Sequence, residues 1–524
     1  MLAQGERPSR TPRDLVADVE AFTTALRWGE FADDAWSDEP EWVDHIEALL
    51  SRATQAFIAG DRAVAAESYG RLLRVFQLDG EVEAFCGEEP AEFRVRSDLG
   101  EALANHLRAL YETTPVDQRA AKLLDEIETL HRLVGGRVGL QAILNSDAAP
   151  LVDLDWFLPQ WLDAVGRLEG ERDDRRKALR GFLLREATLL SAGADGLGEL
   201  ARREGSDEPQ IYHEWLDALL SASRRDDAVA AAREAVGAVQ ESWAKARLAD
   251  RLATLAVERG DETLALEAGR TAWRSHPSLR RLRWLCGVGS PDSGMLRARL
   301  ATEREVAEQG AVRVGGRLAA VLDLLLGDVV AAVNRLSRAP SLGWSSCGHP
   351  GPIVFPYALL AAARLSQPPL GSALEELWDG MNEDFDLDFD CSEGEETDEL
   401  VPEEPTAAAR GPAEAPRLSD LLSDSLNRLD LAPQDRRRLV DTTRRVVERR
   451  AEAVVSSKHR RAYARVALLA AAWTDGALLA GSGHGDGLSD ALLLRYPRHP
   501  AFKREISSAA RRRVSTRRGH PDGP

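Results

Sequence analysis

Cysteine is scarce in this chain of 524 residues and occurs only four times. Cys86, Cys286, Cys347 and Cys391 form no C-x-x-C pair, which argues against a disulfide framework, a zinc ribbon and a thioredoxin-type redox site. Long apolar runs are also missing, since no stretch approaches the roughly 18 residues that a membrane-spanning helix needs. Residues 1–20 lack the apolar core of a signal peptide. We therefore expect a cytoplasmic protein that does not contact a membrane.

Lysine is nearly as rare as cysteine: only five of the 67 basic residues are lysine. Acidic residues number 86, which gives a formal net charge of −19. Residues 383–404 hold twelve acidic residues and no basic one, so the rest of the chain is only mildly acidic. Hydrophobic residues make up 44% of the chain, which is enough for packed cores and argues against wholesale disorder.

Strand-like alternation is uncommon, whereas helical periodicity runs through almost the whole chain. Trp42, Ile46, Leu49 and Leu50 repeat at three- and four-residue spacing, which places them on one face of a helix. The same spacing recurs in many later segments. We predict an all-α fold of helical hairpins joined by short turns.

One segment, residues 249–277, has a helical-hairpin pattern of particular spacing. Gly260 and Asp261 form a turn, Ala265 and Ala272 follow on the second helix, and Pro277 comes after it. This pattern resembles the tetratricopeptide repeat. Gly260 can close the first helix and Asp261 can cap the second, while the two alanines let the paired helix approach closely.

Weaker copies of the pattern extend it along the chain. Gly60-Asp61 is followed by Ala65, and Ala228 and Ala235 repeat the seven-residue spacing. Ala228 precedes the matching Ala265 by a distance close to the roughly 34-residue period of these repeats. We predict a tetratricopeptide-like helical-hairpin repeat fold, an α-solenoid, with a second C-terminal helical module.

Composition divides the predicted fold into segments, because acidic and proline-rich stretches cannot bury enough apolar surface to order themselves. The predicted segments are a disordered N-terminus at 1–12, a helical-hairpin repeat region at 13–340, a Gly/Pro-rich loop with helices at 341–380, an acidic and Pro-rich disordered linker at 381–416, a C-terminal helical module at 417–510 and a basic disordered tail at 511–524.

Several segments point to a family. These are AEAVVSSKHRRAYARVALLAAA with the later LLLRYPRHPAFKREI, GHPGPIVFPYALL, and the early EALANHLRALYETTP. They resemble the C-terminal helical region of bacterial proteins that carry a SWIM-type zinc finger near the N-terminus. That finger needs C-x-C followed by C-x-H. Here Cys347-Gly348-His349 is the only C-x-H and no C-x-C precedes it. The resemblance therefore implies the helical part without the metal module, and it implies no activity.

A basic amphipathic stretch at 436–465 is the candidate interaction surface. Its candidate residues are Arg444, Arg445, Arg449, Arg450, Lys458, His459, Arg460, Arg461 and Arg465. Such a stretch is typical of a solvated helix face, of a nucleic-acid contact or of a surface for an acidic partner. A further alternative is that the acidic residues 383–404 fold back over it.

Candidate metal and catalytic patterns are all incomplete. Cys347 and His349 could supply two metal ligands, but two ligands are fewer than a site needs, and His349 between glycine and proline also fits a turn. We predict no catalytic residues, no cofactor and no metal site. The predicted function is a non-catalytic protein–protein interaction scaffold. The alternatives are a nucleic-acid-associated regulator that uses 436–465 and the arginine-rich tail, and an enzyme of unknown class.

Overall fold

Helices account for all the regular structure in the part of the chain that is described, as the periodicity predicts. The computed structural model describes residues 12–31, 40–78, 91–133, 138–168, 174–310, 312–344, 346, 348–383, 415–482 and 487–518. Over these residues there is no strand. Within the same ranges, no helix is both long and apolar enough to cross a bilayer. The predicted disordered N-terminus and most of the predicted acidic linker lie outside the described residues.

The chain divides by contact density into two compact units, Met1–Ala231 and Ala232–Pro524. The helices up to this division are α1 (Pro12–Arg27), α2 (Glu41–Ile58), α3 (Arg62–Val75), α4 (Ala91–Arg94), α5 (Leu99–Thr113), α6 (Arg119–Leu130), α7 (Leu140–Asn145), α8 (Leu154–Gly166), α9 (Asp174–Glu204), α10 (Gln210–Ser221) and α11 (Arg225–Ala238). The division falls inside α11, and α9 is interrupted by a non-helical residue at Gly193.

A buried carboxylate, hydrogen-bonded by side chains of two other helices, links helices of the first unit. His106 on α5 and Glu126 on α6 lie in the interior, and the His106 Nε2 atom is 2.9 Å from a Glu126 carboxylate oxygen. The other oxygen accepts a hydrogen bond from Arg74 on α3. Burial by itself would raise the pKa of Glu126, but the hydrogen bond from His106 and the charges of His106 and Arg74 outweigh it and lower that pKa. The carboxylate therefore holds three helices together in its charged form.

The helices of the second unit begin after the division. They are α12 (Ser242–Glu258), α13 (Glu262–Ser275), α14 (Leu279–Gly287), α15 (Ser293–Glu308), α16 (Gly316–Leu325), α17 (Val329–Arg338), α18 (Gly351–Ala363), α19 (Ala373–Glu383), α20 (Leu418–Asn427), α21 (Pro433–Ser456), α22 (Tyr463–Leu479), α23 (Gly487–Arg495) and α24 (Pro500–Arg518). Two hairpins of packed helices, α12/α13 and α16/α17, lie in the first part of this unit.

The hairpin turn at 249–277 has the local structure that its residues predict. Gly260 has φ of +75°, in the left-handed region, where glycine avoids the steric cost of a Cβ atom. The Asp261 carboxylate caps α13 by accepting a hydrogen bond from the Leu264 amide at 3.0 Å. Ala265 and Ala272 are fully buried, so their small size suits the close approach of α12.

A second copy of this turn lies at Gly327-Asp328, which the sequence analysis did not identify. Gly327 has φ of +84°, and Asp328 caps α17 by accepting a hydrogen bond from the Ala331 amide at 3.0 Å. Ala332 is fully buried four residues after Asp328, as Ala265 is after Asp261. Since the two glycines are separated by about two repeats of roughly 34 residues, the hairpin repeat reaches further than the predicted best match.

The predicted C-terminal module, 417–510, is helical, and it shares one hydrophobic core with helices from α14 onward. At the centre lies α18, which is buried along almost its whole length. Ser425 on α20 hydrogen-bonds the Tyr357 hydroxyl at 3.0 Å, and burial raises the pKa of Tyr357 to about 12. On α22, Gly476 lets the helix approach α18 closely, because a Cβ atom there would lie 2.8 Å from Leu359.

The boundary predicted for the basic tail at 511 needs correction, because α24 continues as a helix to Arg518. The residues of this stretch continue the helical backbone of Phe502 and Ile506, which are both buried. Residues 519–524 lie outside the described part of the chain.

Replacing Glu126 with glutamine should lower the free energy of unfolding at pH 7 by about 2 kcal/mol, because it weakens the buried hydrogen bonds that this carboxylate makes with His106 and Arg74. Since the pKa of Glu126 is lower in the folded protein, its contribution is present above the unfolded pKa and is lost as pH falls through the folded pKa. Urea unfolding from pH 7 down to acid should therefore show a weaker loss of stability for Glu126→Gln than for wild type. Asp125→Asn, an exposed neighbour, is the control and should retain the wild-type profile.

Gly260→Ala should destabilise the second unit by about 1–2 kcal/mol, because alanine is strained at positive φ. No atom lies near the position of the added Cβ, so the backbone conformation is the whole cause. Gly260→Asn should cost less, since asparagine tolerates the left-handed region better. Equal losses for the two variants in urea unfolding would contradict this explanation.

Candidate interaction surface

The predicted basic helix, 436–465, is two helices separated by a turn, which corrects the prediction of one continuous amphipathic stretch. Helix α21 ends at Ser456, and the Lys458 and His459 amides bond back to carbonyls of its last turn at 3.1 and 3.0 Å. Lys458 has φ of +56°, and a short 3-10 segment, Arg460–Ala462, leads into α22. This turn exposes four consecutive basic residues: Lys458, His459, Arg460 and Arg461.

A second basic segment, between α23 and α24, lies beside this turn. The Tyr463 ring, at the start of α22, packs against Phe502 of α24 at 5.3 Å between centroids. Phe502 also contacts Tyr496 at 5.5 Å. Arg495 donates to Glu452 of α21 at 2.9 Å, which ties the end of α23 to the end of α21. The aromatic contacts therefore place residues 496–502 next to the start of α22, into which the turn at 457–462 leads.

Together the two segments form a cluster that we call the basic end. Its members are Lys458, Arg460, Arg461, Arg498, Lys503 and Arg504. All are exposed except Lys503, which is half-buried. None of the six makes an ion pair with another described residue. Cations gathered without counter-charges create a positive potential that favours an anionic partner.

The other predicted surface residues differ in what they contact. Arg444 is half-buried, pairs with Glu448 at 2.9 Å and lies over the Trp473 ring, so its charge is already compensated. Arg445 is exposed and donates to the Thr442 hydroxyl at 3.1 Å. These two arginines lie more than two helical turns before the end of α21, away from the basic end.

Arg449 and Arg465 are both exposed, as predicted. Arg449 has no ion pair with another described residue, and Arg465 has an interaction of its own. Neither Arg449 nor Arg465 belongs to the turn itself, and we do not count them in the basic end.

Arg450 is a correction, because its side chain is buried and not part of any surface. Its guanidinium lies 4.6 Å from the centre of the Trp344 ring and donates to the Ser341 carbonyl at 3.1 Å. Burial, with a smaller contribution from the charge of Arg465, lowers the pKa of Arg450 to about 10. Arg450 on α21 therefore holds the loop before α18 in place through Ser341 and Trp344.

His349 lies in the same loop before α18, and its contacts show that it shapes that loop. Arg317 donates to the carbonyls of His349 and Ser346 at 2.9 and 2.6 Å. The His349 Nδ1 atom accepts a hydrogen bond from the Gly351 amide at 2.9 Å, so its Nε2 atom donates to the Pro340 carbonyl at 2.8 Å. Burial lowers the pKa of His349 and keeps the ring neutral.

Both ring nitrogens of His349 are therefore committed to the backbone, which leaves neither free to bind a metal. Cys347, the other half of the candidate pair, lies outside the described residues. Among the residues that are described, no three His, Cys, Asp or Glu side chains come together as a metal site would require. His349 serves as the turn-shaping residue that its sequence context also allowed.

A cavity of about 260 Å³ lies beside the start of α15. Its lining residues are Ser293, Gly294, Leu296, Arg297, Leu325 and Arg428. The lining includes no carboxylate, imidazole or thiol, so it offers no ordinary general base.

Sequence reasoning missed half of the basic end. Arg498, Lys503 and Arg504 stand in the segment LLLRYPRHPAFKREI, which the sequence analysis used only for the family resemblance. The signal that could have found them is the density of basic residues between 495 and 504, but its proximity to Lys458 depends on the aromatic contacts of Phe502.

Comparison with known proteins adds little. No protein-family profile and no curated protein matches this chain. A solved chain described as a circular tandem repeat protein with novel repeat topology and enhanced subunit contact surfaces is 15% identical, over 97% of this chain and 99% of that chain, with a TM-score of 0.17. A likeness this low carries no argument about fold or function. The resemblance to SWIM zinc-finger-associated proteins stays a prediction.

Arg450→Ala should lower the free energy of unfolding by about 2–3 kcal/mol, because it removes packing against Trp344 and leaves a buried carbonyl unpaired. The matched control is Arg449→Ala, one residue earlier on the same helix and exposed, which should leave the urea midpoint unchanged. If both arginines were surface residues, as the sequence alone suggests, the two variants would behave alike.

Proposed function

We propose that this protein is a non-catalytic interaction scaffold that binds an acidic segment of a partner protein at its basic end. The observation that carries the proposal is the group of six cations without ion pairs to described residues, gathered from two separate parts of the chain. A helical-hairpin fold is well suited to this role, since stacked hairpins present rigid surfaces.

The rigidity of the basic end supports specific binding. Its two segments are joined by the ring contacts of Tyr463, Tyr496 and Phe502, and by the ion pair of Arg495 with Glu452. Since the backbone that carries the cations is fixed before a partner arrives, less conformational entropy is lost on binding.

A protein segment fits this surface better than a nucleic acid does. Leu494 is 81% exposed beside the arginines, and an apolar side chain of a peptide could cover it. A nucleic acid carries a charge about every 1.7 Å along a duplex and would extend beyond the basic end over a chain whose net charge is −19. Nucleic-acid binding is therefore the alternative outcome of the test.

The test measures binding of two fluorescent probes by anisotropy: a glutamate-rich peptide with interspersed leucines, and a single-stranded DNA of similar charge. Double charge reversal, Arg460→Glu with Arg461→Glu, should weaken peptide binding about tenfold, because 1.4 kcal/mol corresponds to a factor of ten and surface pairs contribute up to about 1 kcal/mol each. The wild-type protein should bind the peptide more tightly than the DNA.

The matched control is Arg437→Glu with Arg438→Glu, an exposed pair near the start of α21, the helix that precedes the turn. It changes the net charge by the same amount far from the basic end and should leave peptide binding nearly unchanged. Equal weakening by both double variants would mean that only net charge matters. Tighter binding of DNA, lost in the Arg460/Arg461 variant, would favour the nucleic-acid function.

A further inference from the structure

The basic end has a candidate occupant in the chain itself. Residues 383–404 contain twelve acidic residues and no basic one. Asp384, Asp386, Asp388 and Asp390 alternate with Phe385, Leu387 and Phe389. This sequence offers both kinds of side chain that the basic end lacks: carboxylates for its unpaired cations, and apolar groups for the exposed Leu494.

The acidic segment begins at the end of α19, and the chain that follows is long enough to reach the basic end. Helix α19 ends at Glu383 and packs on α22, where the Ala373 amide donates to Asp475 at 3.1 Å. On the other side the chain is anchored where Arg283 donates to the Pro416 carbonyl at 2.9 Å. About 30 residues join these anchors, and an extended chain of that length spans on the order of 100 Å. A compact unit of this size has a radius of gyration of about 19 Å, so length does not limit contact.

Covalent connection also favours this occupant over an external one. A segment that belongs to the same chain as its binding surface is present there at an effective concentration of about a millimolar. Of the described carboxylates near the basic end, Glu452 already pairs with Arg495, and Glu505, next to Arg504, pairs with none of the six cations.

We propose that the acidic segment, residues 383–404, binds the basic end of the same chain and competes there with external acidic partners. This inference rests on the proposed function, because it takes the same surface as the binding site. It adds regulation, because a partner can bind only when it displaces the segment. The apparent affinity of the partner is then reduced in proportion to the fraction of molecules whose basic end is free.

The distribution of lysine provides a direct test on the full-length protein. A carbodiimide joins a lysine amine to a carboxylate only when the two are in contact. Two of the five lysines, Lys458 and Lys503, lie in the basic end, whereas Lys122, Lys177 and Lys245 lie elsewhere. After nuclease treatment, mass spectrometry should find Lys458 joined to residues 383–404 at least about tenfold more often than the exposed Lys122 and Lys177 are.

The variant Arg460→Glu with Arg461→Glu keeps Lys458 as the reporter and should reduce its cross-links to the level of Lys177. The control Arg437→Glu with Arg438→Glu should leave them unchanged. Similar yields at Lys458, Lys122 and Lys177 in the wild type would overturn the proposal. Mixing isotopically labelled and unlabelled chains tests whether the cross-linked segment comes from the same chain. Cross-links between a labelled and an unlabelled chain would assign the contact to a second copy and overturn binding within one chain.

A second measurement uses the external glutamate-rich peptide. Changing the twelve acidic residues of 383–404 to their amides should increase the affinity of the protein for that peptide at least about tenfold. An unchanged affinity would overturn the competition. The cross-linking result does not depend on any external partner. A Lys458 contact in the wild type, with no peptide binding even in the variant that carries the twelve amides, would therefore refute the proposed function and leave the intramolecular contact standing.

Discussion

Buried arginine side chains that bond to loop carbonyls are the interaction on which both units depend. The residues that do so are Arg108, Arg119, Arg299, Arg317 and Arg450. A buried charge is costly unless its hydrogen-bonding groups are satisfied. The guanidinium meets this condition in part. It remains charged, is weakly hydrated and has five donors in a fixed plane, but one buried nitrogen in each of Arg108, Arg119 and Arg450 has no hydrogen-bond partner among the described residues. Each arginine thereby holds a connection between helices that apolar contacts alone would leave loose.

The same residue type serves opposite purposes at neighbouring positions. Arg449 and Arg450 are adjacent on α21, yet Arg449 faces solvent and Arg450 lies against Trp344 in the core. Successive helical positions differ by about 100°, so adjacent residues face different directions. What separates a structural arginine from one available to a partner is therefore its environment, and the basic end consists of arginines and lysines that form no ion pair with any described residue.

The hairpin turns were predictable because their cause is local. A glycine at positive φ, an aspartate cap and a small residue four positions after the cap act within one turn of helix, and Gly260, Asp261 and Ala265 could be identified without knowledge of the rest of the chain. Gly327-Asp328 follows the same rule, with Ala332 four residues after the cap and Ala339 seven residues later, so this turn was equally legible in the sequence and was missed. His349 was also predicted as a turn residue, from its glycine and proline neighbours.

The sequence by itself determined the all-α class, the best hairpin and the separation of an acidic stretch from a basic one, because periodicity, capping and charge are properties of nearby residues. Only the tertiary structure decided that Arg450 is buried, that the basic stretch bends at Lys458 and that residues 495–504 lie beside it. These facts depend on contacts such as Tyr463 with Phe502, which are 39 positions apart in the chain. No local pattern specifies which distant rings pack together, so the composition of the basic end could not be deduced from either of its segments alone.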